Sequence, residues 1–186
     1  MIGAVLAGGE GSRFGRASKP AAVLAGRPLI SYPLEALSAV CGRVAVVCKR
    51  STSLPDVDGA ERWDEPDEPR HPLAGIVHAL ARAGGEPVLV CAADMPFVTA
   101  DACRSLLAAP HKGLAVVAAA DGILQPTFGV YAPGALPALR AAPPDGRLTD
   151  AVAQLRPTRV AFPSRLVRSV NTPEELAEAE RVLAAA

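Results

Sequence analysis

Aromatic residues make up only 4 % of this 186-residue sequence, too few for a platform on which nucleobases stack. Net charge is missing as well. Nineteen basic residues cancel nineteen acidic ones, which argues against attachment to nucleic acid or to an anionic membrane by bulk electrostatics. The longest strictly apolar run, Leu114–Ala120, has seven residues, where a membrane-spanning helix needs about twenty. The start, MIGAVLAGGEG, has neither a basic region nor an apolar stretch before a cleavage site, so no signal peptide is expected. The four cysteines (Cys41, Cys48, Cys91, Cys103) lack C-x-x-C spacing, and the three histidines (His71, His78, His111) stand singly. Zinc therefore has little support, and the thiols read as small buried hydrophobes in a reducing cytoplasm. No G-x-S-x-G elbow or Cys-His cluster offers a ready nucleophile.

What is present suffices for a core. Half of the residues are hydrophobic and a fifth are charged, and the length suits one domain over residues 1–186. Short apolar runs of β type occur at Ile2–Leu6, Arg43–Cys48, Pro87–Cys91 and Leu114–Ala118. Helical segments lie between them, at Leu29–Val40, Leu73–Ala83 and Ala100–Ala108. This alternation predicts a three-layer α/β domain with a mostly parallel sheet covered on both faces. Gly129–Tyr131 and Thr158–Phe162 are expected to add an antiparallel margin. Thr172-Pro173-Glu174-Glu175 places a capping threonine before proline and first-turn acids, predicting a helix from Pro173 to about Leu183. Asp56–Glu68, with seven acids and one arginine, and Arg156–Arg168, with four arginines and no acid, read as solvated surface. Pro66–Pro72 and Pro133–Pro144 read as loops or turns.

The first strand runs directly into Gly8-Gly9-Glu10-Gly11-Ser12-Arg13-Phe14-Gly15-Arg16-Ala17-Ser18-Lys19. Four glycines in eight positions let the backbone turn several N–H groups towards one point, an arrangement that phosphate usually fills. Arg13, Arg16 and Lys19 add positive charge. The chain has sixteen arginines but three lysines, so a lysine here is not routine surface decoration. Two familiar glycine motifs fail: a dinucleotide fingerprint would need glycine where Phe14 stands, and a P-loop would need Gly-Lys-Ser/Thr, whereas Lys19 follows Ser18. Asp94, just beyond an apolar strand and followed by Met95-Pro96, is a carboxylate at the edge where α/β sheets bind ligands. It suits Mg²⁺, which takes few protein carboxylates and completes its shell with water and phosphate oxygens.

The pattern LAGG-x-x-x-R-x-G-x-x-x-K resembles the signature of nucleotidyltransferases that activate sugar phosphates and pterin cofactors. Within that superfamily the chain most resembles the molybdenum cofactor guanylyltransferases. The resemblance runs from Leu6 to Leu176 through Pro72-Leu73-Ala74-Gly75, Asp94-Met95-Pro96, Gln125-Pro126 and Asn171-Thr172-Pro173-Glu174-Glu175 in order. It implies a Rossmann-like nucleotidyltransferase domain that transfers GMP from GTP to molybdenum-molybdopterin with Mg²⁺. It also implies contacts with proteins that deliver the pterin or accept the finished cofactor.

The same resemblance implies roles for particular residues. Lys19, Arg13 and Asp94 would be catalytic, with Arg13 and Lys19 on the triphosphate and Asp94 on the metal. Leu6, Ala7, Gly8 and Gly9 would form one wall of the guanine pocket, and Leu73 and Gly75 the other. Asp64, by itself one acid among seven, would contact the nucleotide. Asn171 reads either as a turn residue beside the Thr172 cap or as an oxygen ligand of the metal. Gln125-Pro126 would lie on the pterin side. The chain departs from the family at Ser18, often aspartate, and at the end of the second long strand, where Val47-Cys48 stands in place of asparagine. CTP-using relatives usually carry LAAG at Leu6-Ala7-Gly8-Gly9. A CTP-dependent or sugar-phosphate transferase and a non-catalytic nucleotide-binding module remain the alternatives.

Overall fold

The computed structural model describes residues 1–8 and 19–184. Seven strands form one sheet in the order β5-β4-β1-β6-β8-β7-β9. They are β1 (Ile2–Leu6), β4 (Arg43–Lys49), β5 (Ala60–Glu65), β6 (Val88–Ala92), β7 (Ala115–Ala120), β8 (Ile123–Tyr131) and β9 (Thr158–Ala161). A separate two-stranded ribbon pairs β2 (Val23–Leu24) with β3 (Arg27–Pro28). Six helices complete the described fold: α1 (Ser31–Ser38), α2 (Pro72–Arg82), α3 (Ala100–Ala108), α4 (Leu136–Ala141), α5 (Leu148–Ala153) and α6 (Pro173–Ala184). No helix among the described residues is long and apolar enough to cross a membrane.

The sheet is buried on both faces because its strands are apolar in both registers. Val5, Val46, Cys48, Leu89, Cys91, Val116 and Phe128 pack with α1 and α3 on one side. Ile2, Ala45, Val47, Trp63, Val90, Val117 and Tyr131 pack with α2, α4 and α5 on the other. Continuous burial of this kind is what a parallel sheet between helical layers requires. All four cysteines are buried in it, and burial pushes the Cys103 thiol up to about 12. They are inert core residues.

The expected antiparallel margin takes a different form. β8 is antiparallel to both β6 and β7 but lies inside the sheet between them. β9 does form the edge, yet it pairs parallel with β7. A two-residue turn at Asp121-Gly122, with φ of 50° and 77°, joins β7 to β8. Asp-Gly tolerates the left-handed backbone that such a tight hairpin demands. Farther along, the β7–β8 register jumps from Gly129 to Gln125, so Pro126, Thr127 and Phe128 bulge from the ladder. Proline is admitted there because a bulge needs no N–H from it. The Tyr131 hydroxyl donates to the Pro126 carbonyl at 2.6 Å and pins the bulge. Gln125-Pro126 is thus part of a bulged strand.

The acidic stretch Asp56–Glu68 contains β5, which its charge conceals. Alternation explains it: Trp63 and Glu65 are buried on the inner face while Arg62 and Asp64 point outward, and Glu61, on the same face as Trp63, lies exposed near the start of the strand. Trp63 is 1 % exposed, its indole N–H donates to Glu61 at 3.0 Å, and the Arg82 guanidinium lies 5.2 Å from the ring centroid. The proline-rich stretch Pro133–Pro144 likewise holds α4, which starts after a short 3₁₀ turn.

α6 begins as its sequence predicts. The Thr172 hydroxyl accepts from the Glu175 N–H at 3.2 Å, and the Glu175 carboxylate accepts from the Asn171 N–H. This reciprocal cap fixes the chain just before the helix. Leu176 and Leu183 then pack with Leu24, Leu29, Tyr32 and Phe97.

Replacing Trp63 with alanine is expected to cost about 3–5 kcal/mol in urea unfolding, the usual range for a buried aromatic. A loss of only about 0.5 kcal/mol, typical of a surface position, would contradict the placement of β5 in the core.

Candidate functional site

The carboxyl ends of β1, β4, β5 and β6 finish side by side, with Leu6 opposite Val47 and Ala92, and Lys49 opposite Glu65. The chain leaving β1 is held to this edge. The Ala7 N–H donates to the Val47 carbonyl at 2.8 Å, and the Ala93 N–H donates to the Leu6 carbonyl at 2.9 Å. The amide of Ala7 is consequently spent on the sheet and does not face a ligand. Beyond β6, the Asp94 carbonyl accepts from the Val170 N–H at 2.8 Å, tying the segment before α6 onto the same edge.

Three side chains from distant parts of the sequence converge there. The Lys19 ammonium donates to Asp94 Oδ2 and to Asn171 Oδ1, the latter at 2.7 Å. Lys19 and Asp94 are 16 % and 20 % exposed at their side chains, so the pair is partly shielded but reachable. Asp94 Oδ1 is buried and has no hydrogen-bond partner among the described residues. An unpartnered buried carboxylate oxygen is costly unless something outside the chain meets it. A cleft of about 200 Å³ opens at this point, lined by Leu6, Ala7, Lys19, Pro72, Asp94 and Thr127.

The fit to Mg²⁺ follows from this donor set. Among the described residues no group of three or more His, Cys, Asp or Glu side chains could hold a metal. A closed protein cage is therefore excluded there, but a magnesium ion does not need one. Asp94 supplies a free anionic oxygen, which fits an ion that takes its other ligands from phosphate and water. Asn171 spends its Oδ1 on Lys19, so it serves first to position the lysine.

The other residues singled out from the sequence separate into three groups. Gly9 and Arg13 lie outside the described residues. Gly8, Leu73 and Gly75 sit on the β1–α2 side, but their smallness or apolarity serves packing within the chain. A Cβ on Gly75 would come within 3.2 Å of Leu6 and 3.5 Å of Glu65 Oε2, and Leu73 is buried in the core. Asp64 is not brought to the cleft. It faces outward from β5, 41 % exposed, and bonds to Arg62 at 2.7 Å. The period-two alternation of a strand puts its neighbour Glu65 on the inner face instead.

Glu65 and Lys49 were not singled out from the sequence. They form an ion pair at 3.5 Å, with side chains only 4 % and 5 % exposed. Lys49 also donates to the carbonyls of Pro66 and Pro69. Glu65 Oε1 lies so close to Gly8 that a Cβ there would be 2.0 Å away. Its Oε2 is buried without a partner among the described residues. Burial pushes the Glu65 carboxyl up and Lys49 opposes that shift. The signal was available, because Lys49 is another of three lysines in an arginine-rich chain.

His71 caps α2, its Nδ1 accepting from the Leu73 N–H at 3.3 Å. Two turns on, His78 Nε2 is buried with no partner among the described residues. Burial, with Arg82 and Lys49 nearby, holds this imidazole below its usual value of 6.5, against a smaller opposing effect of Asp64. Within the window from that value down to the lowered one, the unfolded chain is protonated at this position and the folded chain is not. Stability is then full above the window and falls as pH drops through it. The thermal midpoint is expected to fall more between pH 7.5 and 5.5 in the wild type than in His78→Gln; equal falls would contradict this environment for His78.

Comparison with known proteins places this edge in context. The family model for the MobA-like NTP transferase domain matches residues 3–160. The chain is 30 % identical to a molybdenum cofactor guanylyltransferase of Cereibacter sphaeroides, over 98 % of this chain and 97 % of that protein. It is 34 % identical to one of Rhizobium leguminosarum bv. trifolii, over 100 % and 94 %. Among solved structures, molybdopterin-guanine dinucleotide biosynthesis protein A of Archaeoglobus fulgidus superposes with a TM-score of 0.78 at 26 % identity, covering all of both chains. The 2-C-methyl-D-erythritol 4-phosphate cytidylyltransferase of Thermus thermophilus shares the fold, with a TM-score of 0.73 at 20 % identity over 97 % and 98 % of the two chains.

Proposed function

The chain belongs to the MobA-like NTP transferase family, and on that premise we propose that it transfers GMP from GTP to the terminal phosphate of molybdenum-bound molybdopterin. An acceptor phosphate oxygen attacks the α-phosphorus of GTP, the bond from that phosphorus to the bridging oxygen breaks, and pyrophosphate leaves. The 186 residues act as one nucleotidyltransferase domain, working in the cytoplasm, where buried thiols stay reduced. The observation that carries the reading is the convergence of Lys19, Asp94 and Asn171 at the carboxyl edge of the sheet.

The attacking oxygen is already anionic, so the reaction needs no side-chain nucleophile. What it needs is alignment of two polyanions and relief of their repulsion. Lys19 supplies a fixed positive charge, and Asn171 holds that charge in place through its amide oxygen. Asp94 presents Oδ1 for Mg²⁺, which when bound would neutralise charge on the phosphate oxygens. Gly9 and Arg13 belong to the glycine-rich segment that would wrap the triphosphate, as the resemblance implies. On the base side, the buried Glu65 carboxylate packs close against Gly8 at the end of β1. Guanine presents N–H donors on one edge, and Glu65 Oε2 is an unspent acceptor that matches one of them. In this reading Glu65, paired with Lys49, contacts the nucleotide.

Magnesium-dependent pyrophosphate release from GTP in the presence of molybdenum-molybdopterin tests the reading. Asp94→Ala is expected to abolish turnover while the far-ultraviolet spectrum stays unchanged. Lys19→Ala is expected to lose about 10²-fold in rate, the scale of one preorganised donor. Wild-type rates in either variant would contradict the assigned roles.

A further inference from the structure

The face of α2 nearest α4 borders a cleft of about 430 Å³ that no step of the proposed transfer uses. Its walls come from α2, from the segment before it and from the end of α4, with Pro66, Leu73, Val77, His78, Leu139 and Arg140 among the lining residues. It shares no lining residue with the reaction cleft, although Pro72 of that cleft stands between His71 and Leu73 of this one. Ala74, His78 and Ala81 follow one another at four- and three-residue spacing, which puts them on one face of the helix.

Most of the wall is apolar. Leu73 and Leu139 are buried core residues, and Val77 packs against the same core. The volume is that of a small-molecule pocket. Two polar groups narrow what could enter it. His78 Nε2 is buried and unpartnered among the described residues, a costly state unless a hydrogen bond is supplied from outside the chain. Burial holds this imidazole below its usual value, so it is neutral at pH 7.5 and its nitrogen suits a hydroxyl or N–H group rather than an anion. Arg140 is exposed in the last turn of α4 and is matched to no acid among the described residues. Other arginines share that state, but Arg140 is the arginine that stands on this cleft. The acid of the lining, Glu68, is itself exposed and paired with Arg70 at 3.3 Å.

We propose that the cleft between α2 and α4 is a second ligand site, separate from the reaction cleft, that binds a small aromatic hydroxy acid. The ring system lies against Leu73, Val77 and Leu139, the hydroxyl meets His78 Nε2, and the carboxylate meets the Arg140 guanidinium, whose planar fork matches two oxygens. The assignment is independent of which nucleotide the reaction cleft takes.

The test is calorimetric titration of the full chain at pH 7.5 with three probes: 6-hydroxy-2-naphthoate, 2-naphthoate and 6-hydroxy-2-naphthamide. The wild type is expected to bind the hydroxy acid saturably and to lose about fivefold in affinity when the hydroxyl is missing, the scale of one hydrogen bond. His78→Phe keeps a ring but no nitrogen, and is expected to bind the first two probes equally. Replacing the carboxylate by the amide is expected to weaken wild-type binding about threefold, the scale of an exposed ion pair, and to change nothing in Arg140→Gln. Ala81→Trp, at an exposed position of α2, fills the cleft without disturbing the core and is expected to lower the affinity at least tenfold. A wild type without saturable binding would overturn the assignment. So would a hydroxyl preference that persists in His78→Phe, or binding that Ala81→Trp leaves intact. Displacement of the probe by Mg-GTP would overturn it as well, by placing the probe in the reaction cleft.

Discussion

An ammonium group held between a carboxylate and an amide oxygen is the contact on which the rest of this edge depends. Lys19 comes from the segment after β1, Asp94 from the end of β6, and Asn171 from the cap of α6, 152 residues away in sequence from Lys19. None of the three is positioned by local structure alone. Asp94 is fixed by the sheet and by the Val170 N–H, and Asn171 by the Glu175 carboxylate that caps the helix. Taking Lys19 or Asp94 away leaves the other without its counter-charge in a partly shielded place, where water replaces the lost partner poorly. The lysine is held ready, and one oxygen of Asp94 remains unspent.

From this centre the edge divides into two flanks of different chemistry. Towards β5 it is small and acidic: Gly8 and Gly75 admit the Glu65 side chain close to the backbone, and Lys49 balances it. Towards β9 it is open and basic, bordered by Arg165 and Arg168. The bulge in β8 contributes by carrying Thr127 to the wall of the reaction cleft. Its tight Asp121-Gly122 turn sets the outer limit of the basic flank.

Much of this architecture is written in residue pattern. The runs at Ile2–Leu6 and Ala100–Ala108 form the elements their periodicity implies, with the same bounds, because each is strongly apolar and clearly punctuated. β5 is concealed in the sequence because its exposed residues, Glu61, Arg62 and Asp64, dominate the composition, leaving only Trp63 and Glu65 to mark the buried face. That same alternation puts Glu65 on the inner face and its neighbour Asp64 on the outer one. The direction of β9 was not legible either, since strand pairing depends on how the chain returns and not on the residues of the strand. Lys19, Asp94 and Asn171 were legible as candidates from their motifs. Their meeting, and the role of Asn171 as a brace for the lysine, needed the fold.

The most direct test of a guanine-nucleotide site on this edge is a thermal-shift panel with GTP, CTP, ATP and UTP, each with and without Mg²⁺. A ligand at one hundred times its Kd stabilises by about 2.7 kcal/mol, which moves the midpoint of a domain this size by several degrees. The account predicts a magnesium-enhanced shift with GTP that exceeds the shifts with the other three, and its loss in Glu65→Gln. An equal or larger shift with CTP, or a selective GTP shift that survives in Glu65→Gln, would contradict it.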